Sequence, residues 1–237
     1  MKIESLNNEK IKNYAKLQMK KYREEENLFI APGEHLVEEA KTLNLVKEIF
    51  LLDGEDNIYG DVTYLTEPVM KKLSGLESAP KVLAIVKKNL SSDIDGNVII
   101  LDNLRDPGNI GTIIRSAVAF NYKTIILSEN CADVYNIKTV RATEGMLFKV
   151  NIIMEDLERI IPKLKEDGYK IVGTDVQDGT RPYKLGIKHA LIIGSEAKGM
   201  SENIKSLCDE FFYIPMNEMC ESLNAGVSAS ILMYSQI

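Results

Sequence analysis

The sequence predicts an α/β protein of two domains, the second built on a parallel sheet. Three observations carry this reading. The chain has 237 residues, 45% hydrophobic and 27% charged, which is enough apolar material for a core of ordinary size and, at roughly 150 residues per domain, enough length for two domains. From residue 97 onward short aliphatic runs alternate with helical patterns, and strands apolar on both faces belong in a parallel sheet covered on both sides. Between the halves, residues 87–97 are polar and turn-rich, with Ser91-Ser92 and Asp95-Gly96, the composition of a connection. The expected domains are 1–90 and 98–237, with a linker over 91–97.

Taken in order, residues 7–24 read as one basic helix, Leu28–Ala31 as a short apolar run, and Gly33–Ala40 as a helix opened by glycine. Strands follow near Val46–Leu52 and Val62–Leu65, then a helix near Glu67–Leu73 and a strand over Lys81–Val86. In the second half the strand patterns are VIILD, TIILS, FKVNI, YKIVGT, ALIIG and FFYIPM. Between them lie helices expected near Gly108–Phe120, Ile137–Glu144, residues 155–168, Glu202–Leu207 and Leu223–Tyr234, with a loop from Asp175 to Lys188.

The net charge of −6 provides no global positive field, so any nucleic-acid contact must come from a local patch. The first 23 residues supply one, with seven bases against two acids. The opening MKIESLNNEK has no apolar signal core, and the aliphatic runs fall far short of the about 18 residues a membrane span needs. Cys131, Cys208 and Cys220 are odd in number and widely spaced, without a C-x-x-C pair, so neither a disulfide framework nor a zinc cage is indicated. A reducing cytoplasm is the expected home. His35 and His189 are too far apart to suggest a joint site and read as structural or surface residues.

Three constellations could carry chemistry. In Asn103-Leu-Arg105-Asp106-Pro107-Gly108-Asn109-Ile-Gly111-Thr-Ile-Ile-Arg115, Asp106 and Pro107 specify a helix start. Ile110, Ile113, Ile114 and Ala117 form a buried stripe, which leaves Gly108, Gly111 and Arg115 on the other side. Two readings stay open: a tight turn with Arg115 in a surface ion pair, or a bare backbone at a strand end that lets a polymer approach an arginine. In Gly194-Ser195-Glu196-Ala-Lys198-Gly199-Met200-Ser201 the glycine spacing is that of a P-loop. Met200 stands where the phosphate-binding lysine must be, so that site is excluded. No G-x-G occurs, which removes the dinucleotide fingerprint too. Glu196 is either a solvated loop acid or a carboxylate held beside a reacting group. In the third, Ser222 reads as an N-cap, and Ala225, Gly226, Ser228, Ala229 and Ser230 make a weak helix of small side chains, suited to plain close packing or to the approach of a ligand.

In this order, NLRDPGNIGTIIRSA, IIGSEAKGMS and IPMNEMCESLNAGVSASILMY resemble the three signature motifs of the SpoU-type (TrmH) branch of the SPOUT RNA ribose methyltransferases. The likeness covers residue 97 to the end. FIAPGEHLVEEA is similar to the small ribosomal-protein-like substrate-binding domain of rRNA-modifying members. The resemblance implies an α/β domain with a parallel sheet and a C-terminal deep trefoil knot, a homodimer, no metal, and S-adenosylmethionine as cofactor. It implies methylation of a ribose 2′-hydroxyl in structured RNA, rRNA (23S) ahead of tRNA. A catalytically inactive RNA-binding homologue is the alternative. Carried over by position, Arg115, Glu196, Asn109, Ser222 and Asn224 would be catalytic, and Gly194, Ile214, Leu223, Thr174 and Met216 would line the cofactor site. Departures from the usual pattern fall at Asn121, Ala197, residues 217–220 and Ala225-Gly226, and bear on the shape of the cofactor loops.

Overall fold

The aliphatic runs of the first 90 residues form a five-stranded mixed sheet in the computed structural model, which describes residues 1–89, 92–175 and 179–237. Its strands are β1 (Lys2–Ile3), β2 (Leu28–Pro32), β3 (Val46–Leu52), β4 (Thr63–Leu65) and β5 (Val82–Lys87), in the order β1-β4-β3-β5-β2. β4 runs parallel to β1 and β3, while β5 is antiparallel to β3 and β2. Helices α1 (Glu9–Ala15), α2 (Lys20–Glu26), α3 (Glu34–Thr42) and α4 (Glu67–Ser74) accompany it. Ile11, Leu17, Phe50, Leu73 and Ile85 meet in its core.

The single helix expected over 7–24 is instead broken. Helix α1 is followed by a 3-10 turn at Lys16–Gln18, and Met19 is extended at φ −100° and ψ 134° before α2 begins. The break has a physical cause in Arg23, which is only 3% exposed. Its guanidinium donates to the Leu17 carbonyl at 2.6 Å, a group that a continuous helix would have kept for itself, and pairs with Asp133. The local positive charge is also largely committed. Lys2 binds Glu4 and Asp53, Lys10 binds Glu48, and Lys20 and Lys21 each face a glutamate one turn on.

The second sheet is six-stranded and parallel throughout. In chain order its elements are β6 (Asn97–Leu101), α5 (Pro107–Ala119), β7 (Tyr122–Leu127), α6 (Ile137–Ala142), β8 (Asn151–Met154), α7 (Leu157–Glu166), β9 (Lys170–Thr174), β10 (His189–Ile193), α8 (Glu202–Lys205), β11 (Glu210–Phe212) and α9 (Ala225–Tyr234). Strand order is β11-β9-β10-β6-β7-β8. Val98–Leu101, Ile125–Leu127 and Ala190–Leu191 are wholly buried, as strands flanked by helices on both faces must be. The chain builds outward from β6 through β7 and β8, then returns to the opposite side, so strand order reverses between β6 and β10. Ligands in parallel sheets bind outside the carboxyl ends at such a reversal. Residue 91 of the expected linker and residues 176–178 of the expected 175–188 loop lie outside the described residues.

The two sheets belong to two units that are not continuous in sequence: the first comprises Met1–Asn89 and Asp133–Phe148, the second the rest. The 133–148 excursion, which carries α6, packs within the first unit because its aromatic side chains complete that core. Phe29 lies 5.0 Å from the ring of Tyr135 and 6.0 Å from that of Phe148. Residues 1–90 are therefore not a removable module, since their deletion would strip these rings of their partner.

His189 is structural. It is 2% exposed, its Nδ1–H donates to the Ile187 carbonyl at 2.9 Å, and Nε2 accepts from the Tyr122 hydroxyl at 2.6 Å. Burial lowers its pKa. Below the unfolded value of about 6.5 the unfolded chain then binds more protons than the folded one, so stability is intact above that pH and falls as pH drops. The urea midpoint should decrease from about pH 7 to about 5.5, and His189→Gln should remove part of that slope. A variant whose midpoint falls just as steeply would assign the dependence to other groups.

Candidate active site

Two turns meet where strand order reverses, one after β6 and one after β10. The first leads into α5, whose N-cap is Asp106: its carboxylate accepts from the amides of Gly108 at 3.3 Å and Asn109 at 3.1 Å. Pro107, at the first helical position, has no amide to satisfy. Asn109 is 6% exposed and Gly111 is buried with the Ile110 stripe. Gly111 therefore does not share the exposed side with Gly108 and Arg115, as the helical pattern had suggested. Helix α9 packs against α5.

That packing is close because the facing side chains are small. A Cβ on Gly226 would stand 3.1 Å from the side chain of Thr112, and the hydroxyls of Ser116 and Ser230 meet at 2.7 Å. Helix α9 starts later than the Leu223 expected, and its N-cap is Asn224 rather than Ser222. The Asn224 carboxamide oxygen accepts from Gly226 N at 2.9 Å and Val227 N at 3.2 Å. A capping oxygen fixes which end of the amide faces the helix, so Nδ2 must point away as a donor. It donates to Asn109 Oδ1 at 2.8 Å. Asn109 in turn can only donate onward, and its Nδ2 reaches Glu196 Oε1 at 2.7 Å. The result is a one-way relay from a helix cap to a carboxylate.

Glu196 sits in the loop after β10. This loop is a closed turn in which Ser195 N and Gly199 O, and Gly199 N and Ser195 O, bond reciprocally at 2.9 Å. It leaves no space for a side chain at Gly194, where a Cβ would lie 2.2 Å from the Met200 nitrogen. Of the expected catalytic residues the structure thus joins Asn109, Glu196 and Asn224. Arg115 is exposed and makes no hydrogen bond or ion pair with any described residue, which removes the reading of a surface ion pair. Ser222 is exposed, and its hydroxyl has no partner among the described residues.

The residues matched to a cofactor site stand at neighbouring carboxyl ends. Thr174 closes β9, Gly194 follows β10 and Ile214 follows β11, and these strands are adjacent. Thr174 uses its hydroxyl on the Ile192 carbonyl at 3.0 Å. Gly194, Ile214, Met216 and Leu223 are half-buried, and among the described residues their main-chain amides and carbonyls have no hydrogen-bond partner. Apolar walls with a few uncommitted backbone groups suit a purine, whose edge needs a small number of donors and acceptors. The residues present therefore fit S-adenosylmethionine. One residue went unnoticed in the sequence: Asp102, the terminal acid of VIILD, is 2% exposed and binds both Ser201 and Asn103. The signal available was an acid ending an otherwise aliphatic strand directly before the first motif.

Residues 96–234 match the SpoU rRNA methylase family. The chain belongs to that family. Residues 8–84 match the MRM3-like substrate binding domain, so this SpoU member carries the accessory domain as well. It is 35% identical to the 23S rRNA (guanosine(2553)-2′-O)-methyltransferase RlmP of Bacillus subtilis, across 98% of this chain and 97% of that protein. A structure of an AdoMet-bound rRNA methyltransferase from Sinorhizobium meliloti aligns over 99% of this chain and 96% of that one, at 26% identity and a TM-score of 0.86. The SpoU methyltransferase AviRb of Streptomyces viridochromogenes, in complex with AdoMet, shares the fold at 24% identity, 97% coverage of each chain and a TM-score of 0.83.

The relay makes a sharp expectation. Asn224→Ala removes a cap worth about 1 kcal/mol and leaves a buried acceptor on Asn109 unpaired at about 1 to 3 kcal/mol, for a total near 2 to 4 kcal/mol. Urea denaturation of wild type and variant measures this. A loss below about 0.5 kcal/mol would show that Asn109 is held by something else.

Proposed function

We propose that this chain transfers the methyl group of S-adenosylmethionine to a ribose 2′-hydroxyl of rRNA, in the 23S class of its B. subtilis relative. The observation that carries the reading is the relay from Asn224 through Asn109 to Glu196. It stands where strand order reverses, beside uncommitted backbone groups that suit the cofactor. A bound S-adenosylmethionine supplies a sulfonium methyl group open to displacement by an oxygen. The chain's own residues align the acceptor, a contribution worth about 7 to 11 kcal/mol in favourable cases. Arg115, exposed and without a hydrogen bond or ion pair among the described residues, grips the phosphate and ribose of a flipped-out nucleotide. A guanidinium keeps its proton at physiological pH and is a poor proton acceptor. Glu196 has one carboxylate oxygen engaged by Asn109, and the other, bound by no described residue, takes the hydroxyl proton. Ser222 and Asn224 orient the hydroxyl and cofactor, and Gly194, Ile214, Leu223, Thr174 and Met216 line the cofactor pocket.

The test is methyl transfer from labelled cofactor to RNA from cells lacking the gene, with position mapping. Wild type should label rRNA. Leu223→Arg should weaken cofactor binding, Arg115→Lys should weaken RNA binding with turnover retained, and Glu196→Gln should lose turnover with RNA binding intact. Labelled tRNA would overturn the rRNA assignment, and absent cofactor binding would favour the inactive homologue. An inert Arg115→Lys beside a fully active Glu196→Gln would make the arginine the base.

We also propose a cytoplasmic homodimer whose C-terminal segment is threaded as a trefoil knot. What supports the dimer is an apolar stripe on α9: Val227, Ile231 and Tyr234, spaced one helical turn apart, are 45%, 39% and 64% exposed. A second copy would cover them. The packing of α9 against both α5 and β10 is consistent with threading. Light scattering should give twice the chain mass, and Ile231→Glu should reduce it; a stable and active monomer counts against the dimer. RNA engagement by the first unit rests on exposed cations without an ion pair among the described residues, such as Lys12 within the 7–24 segment and Lys47 outside it.

A further inference from the structure

Asp102 is the one buried carboxylate among the described residues, and no cation neutralises it. A carboxylate out of water must be satisfied by donors, and each of its donors is identifiable. Oδ2 accepts from Ser201 N at 2.7 Å and from Ser201 Oγ at 3.0 Å, and Oδ1 accepts from Asn103 Nδ2 at 2.6 Å. Asn103 is itself held in the left-handed region at φ 58° with its amide bonded to Ser128 Oγ at 2.9 Å.

Ser201 occupies the N-cap position of α8, where a serine hydroxyl ordinarily accepts from the helix's own amides. Here it makes no such bond, and the hydroxyl donates to Asp102 instead. The helix is left without a side-chain cap in favour of this contact. The main chain of Asp102 completes the arrangement, because its amide donates to the Ile193 carbonyl at 2.9 Å. One residue thus holds the position before the Gly194–Met200 loop with its backbone and the position after it with its side chain. Between those two points the loop is closed by the Ser195 and Gly199 pairing, with Glu196 inside it. Asp102 also follows directly on β6, the strand that leads to Asn109.

We propose that Asp102 is a positioning residue for Glu196, clamping both ends of the loop that presents it to Asn109. The proposal rests on the catalytic reading of Glu196 given above. Asp102→Asn keeps the shape but removes the charge and one acceptor: with its oxygen kept on the Ser201 donors, its amide nitrogen faces Asn103, whose donor is opposed unless that carboxamide turns over.

The test compares wild type, Asp102→Asn, Ser201→Ala, Glu196→Gln and the Asp102→Asn/Glu196→Gln double variant. Each is followed by methyl-transfer kinetics and by amide hydrogen exchange at Ser195 and Gly199. Asp102→Asn should lower kcat by about 10- to 100-fold with KM for RNA within about twofold, since misplacement of a reacting group by about 1 Å has that effect. Exchange at Ser195 and Gly199 should quicken by about tenfold or more. In the Glu196→Gln background the Asp102 substitution should lower kcat no further, because a residue acting through Glu196 has nothing left to position. Ser201→Ala keeps the main-chain donor and should reproduce both effects at a smaller size, which holds even if Asp102→Asn does not fold. Unchanged exchange in either variant, or equal kcat losses with and without Glu196, overturns the proposal. An inactive wild type or a fully active Glu196→Gln overturns the catalytic reading, and the exchange data then judge the clamp by themselves.

Discussion

Asn224 gives its carboxamide oxygen to the first amides of α9, and this single choice orients every polar group up to Glu196. An amide has one donating end and one accepting end. With the oxygen bound to Gly226 and Val227, the nitrogen must donate to Asn109, and Asn109 must then find an acceptor. Asn109 is 6% exposed, so its donor is met within the protein, and the exposed Glu196 supplies the carboxylate that accepts it. The small side chains of α5 and α9 are what bring the partners within reach, since a larger residue at Gly226 would press on Thr112 and move Asn224 away from Asn109.

The strands could be read from the sequence because they are buried on both faces, and a run such as VIIL or ALII has few other uses in a chain of this composition. Val46–Leu52 became a strand with the bounds its pattern suggested. Helix ends were legible where a cap and a proline coincide, as at Asp106-Pro107. The failures have a common origin in contacts between residues distant in the chain. Nothing local marks Arg23 for burial, because its acceptor Asp133 lies 110 positions away. Ser222 and Asn224 are both plausible caps by type, and the choice fell to Asn224, which also has Asn109 to bind across 115 positions. Glu196, Asn109 and Arg115 could be singled out by resemblance, yet only the structure separates a joined pair from a lone arginine.

Charge gives a parallel lesson. The excess of bases in the first 23 residues is real as a count, but five of the seven meet carboxylates. The four lysine pairs are solvent-exposed on the lysine side and contribute little to stability, whereas the Arg23 pair is buried; together they cancel much of the field that a bare basic helix would project. Arg115 is the opposite case, an exposed cation with no hydrogen bond or ion pair to any described residue.

The excursion of residues 133–148 bears on how the chain is made. Synthesis proceeds from the N-terminus, and domains commonly fold in that order as they emerge. Here Phe29 waits for Tyr135 and Phe148, so the N-terminal unit cannot complete its core until β6 and β7, two of the six strands of the second sheet, have already been made. A nascent chain of this protein therefore holds an unfinished hydrophobic face for much of its elongation. A chaperone acting at the exit tunnel would meet it there.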